Sequence, residues 1–202
     1  TEDILLSIDK VMLGPERKSH ILSEKEKKIT AYHEAGHALV AHELPNTDPV
    51  RKISIIARGS AAGFTLKLPN EDKKLHTKSE FIEELSVMLA GRMAEEEVFN
   101  EVTTGDQSDL RQATKLARRI ISDYGMSEKL GLRTLGQREE LIFLGREIHE
   151  EKDYSDKTAE IIDQEISRLL DEASQRALSI IKDKRKYLDL IADTLIVKET
   201  IE

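Results

Sequence analysis

Apolar side chains recur along most of this chain at the three- and four-residue spacing that places them on one face of an α-helix. This pattern predicts helices over residues 2–13, 23–43, 77–99 and 109–124, then a long helix that begins at Ser155-Asp156, and a last helix over 184–195. Alternation of apolar and polar residues predicts two short strands, over 50–57 and 64–68, with a turn at 58–63 between them.

The remaining segments complete a mainly α prediction. Because Pro69 ends the second strand, we expect that strand to lie near a sheet edge. Residues 15–22 form a polar linker, and residues 126–154 form an irregular connector in which 141–144 is a short strand or a buried turn. The predicted fold is therefore mainly α, with a small β-sheet of short strands and a C-terminal helical bundle. The last helices are expected either to pack on the rest of the fold or to contact another subunit.

Candidate chemistry lies on the predicted helix 23–43, in the sequence His33-Glu34-Ala35-Gly36-His37. Residues four apart lie above one another on a helix, so both imidazoles occupy one face, within or beside the apolar stripe. A shared metal ion would satisfy both rings, and Zn²⁺ suits nitrogen ligands. Glu34 lies about 100° around the helix from His33, where it can accept a proton without binding the metal. This arrangement indicates a metal-dependent hydrolase. The alternative is a pair of core histidines that backbone carbonyls or carboxylates satisfy.

A zinc site needs a third protein ligand from elsewhere in the chain. Asp109 is one candidate because it begins a helix next to the buried position Leu110, although an aspartate there also complements the helix dipole. The run Glu95-Glu96-Glu97 is an equal candidate, although consecutive glutamates commonly form a solvated face. Asp106, His42 and His76 complete the set, with His42 expected at the surface and His76 in a loop. Spacing alone leaves Asp109 and the glutamate run open.

Composition narrows the classes of protein. The 202 residues include no cysteine, which excludes disulfides and thiolate metal sites. The net charge of −8 argues against nucleic-acid binding. No apolar run approaches the ~20 residues of a membrane span, and there is no signal peptide, so we expect this stretch to be soluble. It does not begin with methionine, and we expect it to be a fragment of a longer protein.

Several motifs, taken together and in order, resemble the peptidase domain of the FtsH family of membrane-anchored, ATP-dependent zinc proteases. They are Thr30–Ala38 around the two histidines, Gly63-Phe64-Thr65 with Leu68-Pro69, Leu89–Glu96, Thr103-Thr104-Gly105 with Ser108-Asp109-Leu110, Ala113-Thr114, and Tyr124–Ser127. Gly14–Ser19 is similar to the family's junction between the ATPase lid and the peptidase domain. The family more often has Ala at position 106 and Asn at position 108, where this chain has Asp106 and Ser108.

The resemblance implies a helical zinc-metalloprotease domain with one Zn²⁺ per chain. His33, His37 and Asp109 would bind the metal, and Glu34 would be the catalytic base. It implies that residues 1–22 are the end of an ATPase lid and a linker, 23–150 a zinc-peptidase lobe, and 151–202 a C-terminal helical segment of the same domain. ATP would be used only by an ATPase module outside this sequence.

The resemblance also implies partners and a location. The full protein would be a homo-hexamer at the inner (cytoplasmic) membrane, with this domain facing the cytoplasm and membrane contact only through segments outside this sequence. Its substrates would be unfolded or misassembled polypeptides, with no nucleic acid. The strand with Gly63, Phe64, Thr65 and Leu66 could bind substrate by pairing with an extended peptide. Two rivals stay open: a non-catalytic helical oligomerisation or adaptor module, and a zinc hydrolase of small amides.

Overall fold

Helices make up most of the structure, a computed structural model that describes residues 23–57, 62–69, 73–138, 150–151 and 153–202. The described elements are, in chain order, α1 (Glu24–Glu43), β1 (Val50–Ser54), β2 (Phe64–Lys67), α2 (Lys78–Phe99), a 3₁₀ turn (Thr104–Asp106), α3 (Gln107–Ser122), β3 (Gln137–Arg138), β4 (Glu150–Glu151), α4 (Asp156–Asp183), α5 (Arg185–Lys198) and β5 (Thr200–Ile201). The prediction of a mainly α fold with a small sheet is confirmed.

Local sequence determines where α1 and α2 begin. The Ser23 hydroxyl accepts a hydrogen bond from the backbone N–H of Glu26, whose carboxylate accepts one from the backbone N–H of Ser23. Thr77 and Glu80 form the same reciprocal capping box at the start of α2. These bonds satisfy backbone donors that the first turn of a helix leaves without a partner. The apolar pattern predicted helices from residues 23 and 77, and the structure begins them one residue later, at 24 and 78.

Helix α1 is the central helix of the fold. All residues from 31 to 41 are buried, although the sequence predicted burial along a single stripe. Small side chains explain the difference, because Ala31, Ala35 and Ala38 let neighbouring elements pack on several sides of the helix. Gly36 makes the closest approach: a Cβ atom there would lie 2.6 Å from the backbone oxygen of Ala90 on α2. Helices α2 and α5 form the most extensive contacts with α1.

Two aliphatic clusters form the core, and α2 and α4 contribute to both. One cluster packs α1, β1 and α5 against α2 and the end of α4. The other packs α3 and the segment after it against the first halves of α2 and α4. The C-terminal helices therefore pack on α1, α2 and α3, which was one of the two arrangements expected for them. None of the helices in the described part of the chain combines the length and the apolar character that a bilayer crossing requires.

A buried carboxylate fastens the segment after α3 to α4. Glu165 accepts hydrogen bonds from the Ser127 hydroxyl and from Arg168, and forms an ion pair with Lys129. Burial raises the pKa of Glu165, but the hydrogen bonds from these donors outweigh that effect and lower the pKa to about 2. The carboxylate is therefore ionised at neutral pH and holds three groups at the base of the second cluster.

The main sheet has the order β2–β1–β5, and both pairs are antiparallel. β2 lies at one edge, as predicted. β1 ends at Ser54 rather than at residue 57, because the backbone N–H of Ile56 turns back to the Ser54 hydroxyl. β5 was not predicted, since two residues carry no periodic pattern. It pairs with Ile53 and Ser54 and closes the edge opposite β2.

The other departures concern the ends of elements. α3 ends at Ser122, before the predicted stop at Gly125, which adopts a left-handed φ of 59°. α5 continues to Lys198, and the connector contains the paired strands β3 and β4. The predicted helix 2–13, the linker 15–22, most of the turn 58–63 and the segment 141–144 lie outside the described residues. The division of the chain at residues 22 and 150 stays a prediction.

Candidate metal centre

Two imidazoles face each other on the buried surface of α1. His33 and His37 lie one helical turn apart, and their Nε2 atoms are 3.0 Å from each other. The two residues are only 8% and 9% exposed, respectively, so water contributes little to satisfying these nitrogens. The rings meet edge to face, which directs both Nε2 atoms toward a common point.

Asp109 completes a three-sided cluster with the two histidines. Its Oδ2 atom lies 3.2 Å from Nε2 of His33 and 3.4 Å from Nε2 of His37. Asp109 lies in the first turn of α3. The 3₁₀ turn Thr104–Asp106 precedes α3 directly, and the start of α3 lies beside the histidines of α1. Within the described residues, these three side chains are the group of His, Asp and Glu residues able to share a metal ion.

The other ring nitrogens have acceptors of their own. Nδ1 of His33 lies 2.7 Å from Oε1 of Glu95, and Nδ1 of His37 lies 2.7 Å from the backbone oxygen of Val87. Hydrogen bonds with the ring lower the pKa of Glu95 in spite of its burial, so this carboxylate accepts rather than donates. Each Nδ1 therefore carries a proton, and in the neutral imidazole the Nε2 lone pair is available for a cation.

The donor set fits a divalent cation such as zinc. Zinc ligands at about 2.0–2.1 Å in a tetrahedral arrangement lie about 3.3 Å from one another. The three separations between donor atoms in this cluster are 3.0, 3.2 and 3.4 Å. Three protein ligands leave one tetrahedral position open, which is the arrangement of catalytic rather than structural zinc sites.

The electrostatics of the cluster also favour positive charge. Burial lowers the pKa of His33, but its hydrogen bonds with Asp109 and Glu95 raise it, to about 10 overall. Burial raises the pKa of Asp109, and its hydrogen bonds with both histidines outweigh that effect and lower it well below the usual range. A cation between the rings is therefore stabilised, and a metal ion has to displace a proton to occupy that position.

Gly91 on α2 provides the space that the two rings occupy. A Cβ atom on Gly91 would lie 2.5 Å from Nε2 of His33 and 2.6 Å from Nε2 of His37. These distances are far shorter than van der Waals contact, so no other amino acid fits here without moving a ring. The groups that approach Gly91 most closely are the candidate ligands themselves.

Glu34 is buried beside the cluster, with its carboxylate turned toward β2. The Thr65 hydroxyl donates a hydrogen bond to Oε2 of Glu34 over 2.7 Å. Burial raises the pKa of Glu34 above its usual value, while His37, His33 and the Thr65 hydroxyl oppose that rise. A carboxylate whose pKa is raised toward neutrality is a more effective general base than an exposed one.

A cleft of about 670 Å³ opens over the cluster and Glu34. Its walls include the start of α1, β2, α2 and the loop that precedes α3. Gly63, Phe64 and Thr65 line this cleft, and so does Lys67, whereas Leu66 lies outside the lining. Side chains alternate along a strand, so Thr65 and Lys67 lie on one face, and the neighbouring Phe64 adds to the same lining. β2, an edge strand of the described sheet, thus borders the candidate site.

Among the other third-ligand candidates, Glu95 contacts Nδ1 of His33 and not the shared Nε2 position, and the rest do not join the cluster. Asp106 is buried in an ion pair with Arg92 of α2. Glu96 and His42 are exposed, and His76 lies beside the Phe81 ring. Asp109 is therefore the candidate that the structure brings to the two histidines, while Asp106 links the turn before α3 to α2.

Two contacts of this site were not foreseen from the sequence. The carboxylate of Glu95 contacts the His33 ring, and the Thr65 hydroxyl contacts Glu34. The sequence does contain a signal for the contact between Glu95 and His33. Val87, Gly91 and Glu95 recur every four residues on α2, which places them on one face of the helix. Nothing local to Thr65 indicated its partner, because the contact depends on how β2 packs against α1.

We expect Gly91→Ala to weaken zinc binding by at least about tenfold, because the added methyl group must displace one of the two rings. The measurement is competition against a chelating indicator of known affinity. Gly105→Ala is the matched control, since its methyl group would meet no imidazole and only approach the Thr103 hydroxyl at 3.3 Å. Equal zinc affinity in Gly91→Ala and the parent would contradict the packing described here.

Known proteins are similar to almost the whole of this chain. The model of peptidase family M41 matches residues 20–202. A protein of Thermomicrobium roseum named ATP-dependent zinc metalloprotease FtsH 1 is 54% identical over 196 residues, which are 97% of this chain and 30% of that protein. Proteins with corresponding names from Sphaerobacter thermophilus and Rubrobacter xylanophilus are 53% and 50% identical over the same share of the chain and of their own lengths.

The chain thus spans about 30% of the length of these curated relatives. The family model covers the whole described region, including every residue of the cluster, Glu34 and β2. On this match, the chain belongs to peptidase family M41.

Proposed function

We propose that this domain is a zinc-dependent endopeptidase. The observation that carries the proposal is the buried carboxylate of Glu34 beside a two-histidine, one-aspartate cluster, in a cleft lined by the edge strand β2. Membership of peptidase family M41 and the names of the relatives support it. No observation on the described residues favours the non-catalytic module or the small-amide hydrolase.

In this proposal His33, His37 and Asp109 hold one zinc ion per chain through two Nε2 atoms and a carboxylate oxygen. Zinc, when bound, supplies Lewis acidity toward a water molecule and the carbonyl group of the scissile peptide. Glu34 accepts the proton of the attacking water and then delivers it to the nitrogen of the leaving amine. Glu95 and the Val87 carbonyl hold the imidazoles in the tautomer that leaves each Nε2 lone pair available.

We further propose that β2 binds the substrate backbone over Gly63–Leu66. β2 is an edge strand, and an extended peptide can add to it through main-chain hydrogen bonds. This mode requires only that the substrate be extended, because the hydrogen bonds involve backbone rather than side chains. It therefore suits the degradation of many unfolded polypeptides with weak sequence preference.

We propose that the whole protein couples this domain to an ATPase module, and the names of the relatives, ATP-dependent zinc metalloproteases, support this. By the same resemblance, it would assemble as a homo-hexamer anchored in the inner (cytoplasmic) membrane, with this domain on the cytoplasmic side. The ATPase would then supply unfolded chains to the cleft. Residues 1–22 would form the end of the ATPase lid and the linker.

We expect Glu34→Gln to retain zinc within about threefold but to lower cleavage of an unfolded protein such as casein by at least about 1,000-fold, because the amide cannot accept the proton. Zinc content is measured by metal analysis and cleavage by release of labelled peptides. If the zinc-loaded parent protein did not cleave, or if Glu34→Gln cleaved as well as the parent, the proposed function would be wrong.

A second comparison tests the metal ligands. We expect Asp109→Asn to lower zinc affinity by about 10–100-fold, since a neutral amide replaces the charged third ligand. Glu96→Gln removes the same charge from an exposed position and should leave affinity unchanged. Zinc affinity is measured by chelator competition at one pH. A loss in Glu96→Gln with none in Asp109→Asn would reassign the third ligand.

The role of β2 can be tested through the substrate alone. We expect N-methylation of the backbone amides next to the scissile bond of a cleavable peptide to lower kcat/KM by about tenfold or more, because methylated nitrogens cannot donate to a strand edge. The same peptide methylated five or more residues away is the control. Equal cleavage of both peptides would exclude strand addition as the binding mode.

A further inference from the structure

The carboxylate of Glu34 is held by the strand proposed to receive the substrate. The Thr65 hydroxyl lies 2.7 Å from Oε2 of Glu34 and 3.3 Å from the backbone oxygen of the same residue. Both are acceptors, and the shorter contact identifies the carboxylate as the main recipient of the hydroxyl proton. Glu34 is only 6% exposed, so few water molecules can replace this donor.

Gly63 contacts the other side of the same carboxylate. A Cβ atom on Gly63 would lie 2.8 Å from Oε1 of Glu34 and 2.9 Å from its Cγ. The backbone therefore packs directly against the glutamate side chain just before β2 begins. Gly63 and Thr65 are two residues apart and so lie on one face of the extended chain. This face restrains both oxygens of Glu34, Oε1 by close packing and Oε2 by a hydrogen bond.

We propose that Thr65 is a positioning residue: its hydroxyl orients the carboxylate of Glu34, the proposed general base, and acts on the reaction only through that carboxylate. This inference rests on the proposed function, because it assigns a role relative to Glu34 as the proton acceptor. The Thr65 side chain is directed toward α1, whereas the edge of β2 consists of backbone groups. One strand thus has two separable roles: its edge binds the substrate, and its Thr65 hydroxyl orients the base.

The expected size of the effect follows from the geometry of proton transfer. A glutamate side chain has three rotatable bonds, and a carboxylate without a fixed donor samples several rotamers. Displacement of a catalytic group by about 1 Å can lower a rate by about 100-fold. Loss of the hydroxyl should therefore reduce kcat, which depends on the base, and leave KM, which depends on the strand edge and the cleft, almost unchanged.

The test compares zinc-loaded parent protein with Thr65→Val, Thr65→Ser and Thr194→Val, using one cleavable peptide. Thr65→Val keeps the side-chain shape without the hydroxyl and should lower kcat by about 10–100-fold, with KM and zinc affinity within about threefold of the parent. Thr65→Ser restores the donor and should recover kcat to within about threefold. Thr194→Val is the matched control, because the Thr194 hydroxyl bonds to the Leu190 carbonyl on α5, away from the cleft.

A second readout does not depend on catalysis. In zinc-loaded protein with ¹³C-labelled glutamate, the Glu34 carboxyl resonance is identified by its absence from Glu34→Gln. At fixed pH this resonance should move in Thr65→Val and stay near the parental position in Thr65→Ser, because only the valine lacks the hydrogen bond. An unmoved resonance in Thr65→Val would overturn the proposal.

The other possible outcomes also test the role of the Thr65 hydroxyl. Equal loss of kcat in Thr65→Val and Thr65→Ser, or a rise in KM with kcat unchanged, would overturn the role assigned to the hydroxyl. If Thr65→Val loses zinc or fails to fold, Thr65→Ala replaces it, and loss of zinc in both would show a structural role instead. If the parent is active, Glu34→Gln is inactive and Thr65→Val is fully active, this inference is wrong and the proposed function stands. If the zinc-loaded parent is inactive, the proposed function is wrong.

Discussion

The close approach of α1 and α2 is the constraint on which the rest of the site depends. Two glycines make it possible: Gly36 on α1 lies against the backbone of Ala90, and Gly91 on α2 lies against both imidazoles. With side chains at these positions, the helices would separate and the rings would rotate away from each other. Because α1 is buried on all sides from residue 31 to residue 41, its two histidines have little freedom to adopt other rotamers.

One face of α2 supports the candidate ligands by three different means. Val87 offers its backbone carbonyl to His37, Gly91 leaves room for both rings, and Glu95 offers its carboxylate to His33. These residues repeat every four positions, so a single helical face holds the pair from behind. The third ligand arrives from the opposite direction, at the start of α3. The site is therefore assembled where two helices that run past each other meet the end of a third.

How far the sequence predicts this structure depends on the range of each interaction. Capping boxes act within four residues, and the helix starts at residues 24 and 78 lie within one residue of the predicted ones. The pairing of His33 with His37 is equally local, because helix geometry alone brings both rings to one face. Spacing could not choose between Asp109 and Glu95–Glu97, since the choice depends on the path of a loop. The resemblance to a family supplied what spacing could not.

Long-range contacts were beyond any local pattern. β5 has two residues, too few for a periodicity, and forms only because the end of α5 brings it beside β1. The Thr65–Glu34 hydrogen bond joins residues 31 positions apart. Of the three consecutive glutamates, Glu95 is buried because it lies on the face of α2 that packs against α1. The sequence alone does not identify that face.

Glu95 also connects two ligands that come from different parts of the chain. Its Oε1 atom contacts Nδ1 of His33, and its Oε2 atom accepts the backbone N–H of Thr103, at the start of the turn that leads to Asp109. One buried carboxylate therefore joins the backbone that leads to the aspartate and the ring of the first histidine. A side chain outside the candidate ligand set thus sets the separation between two of its members.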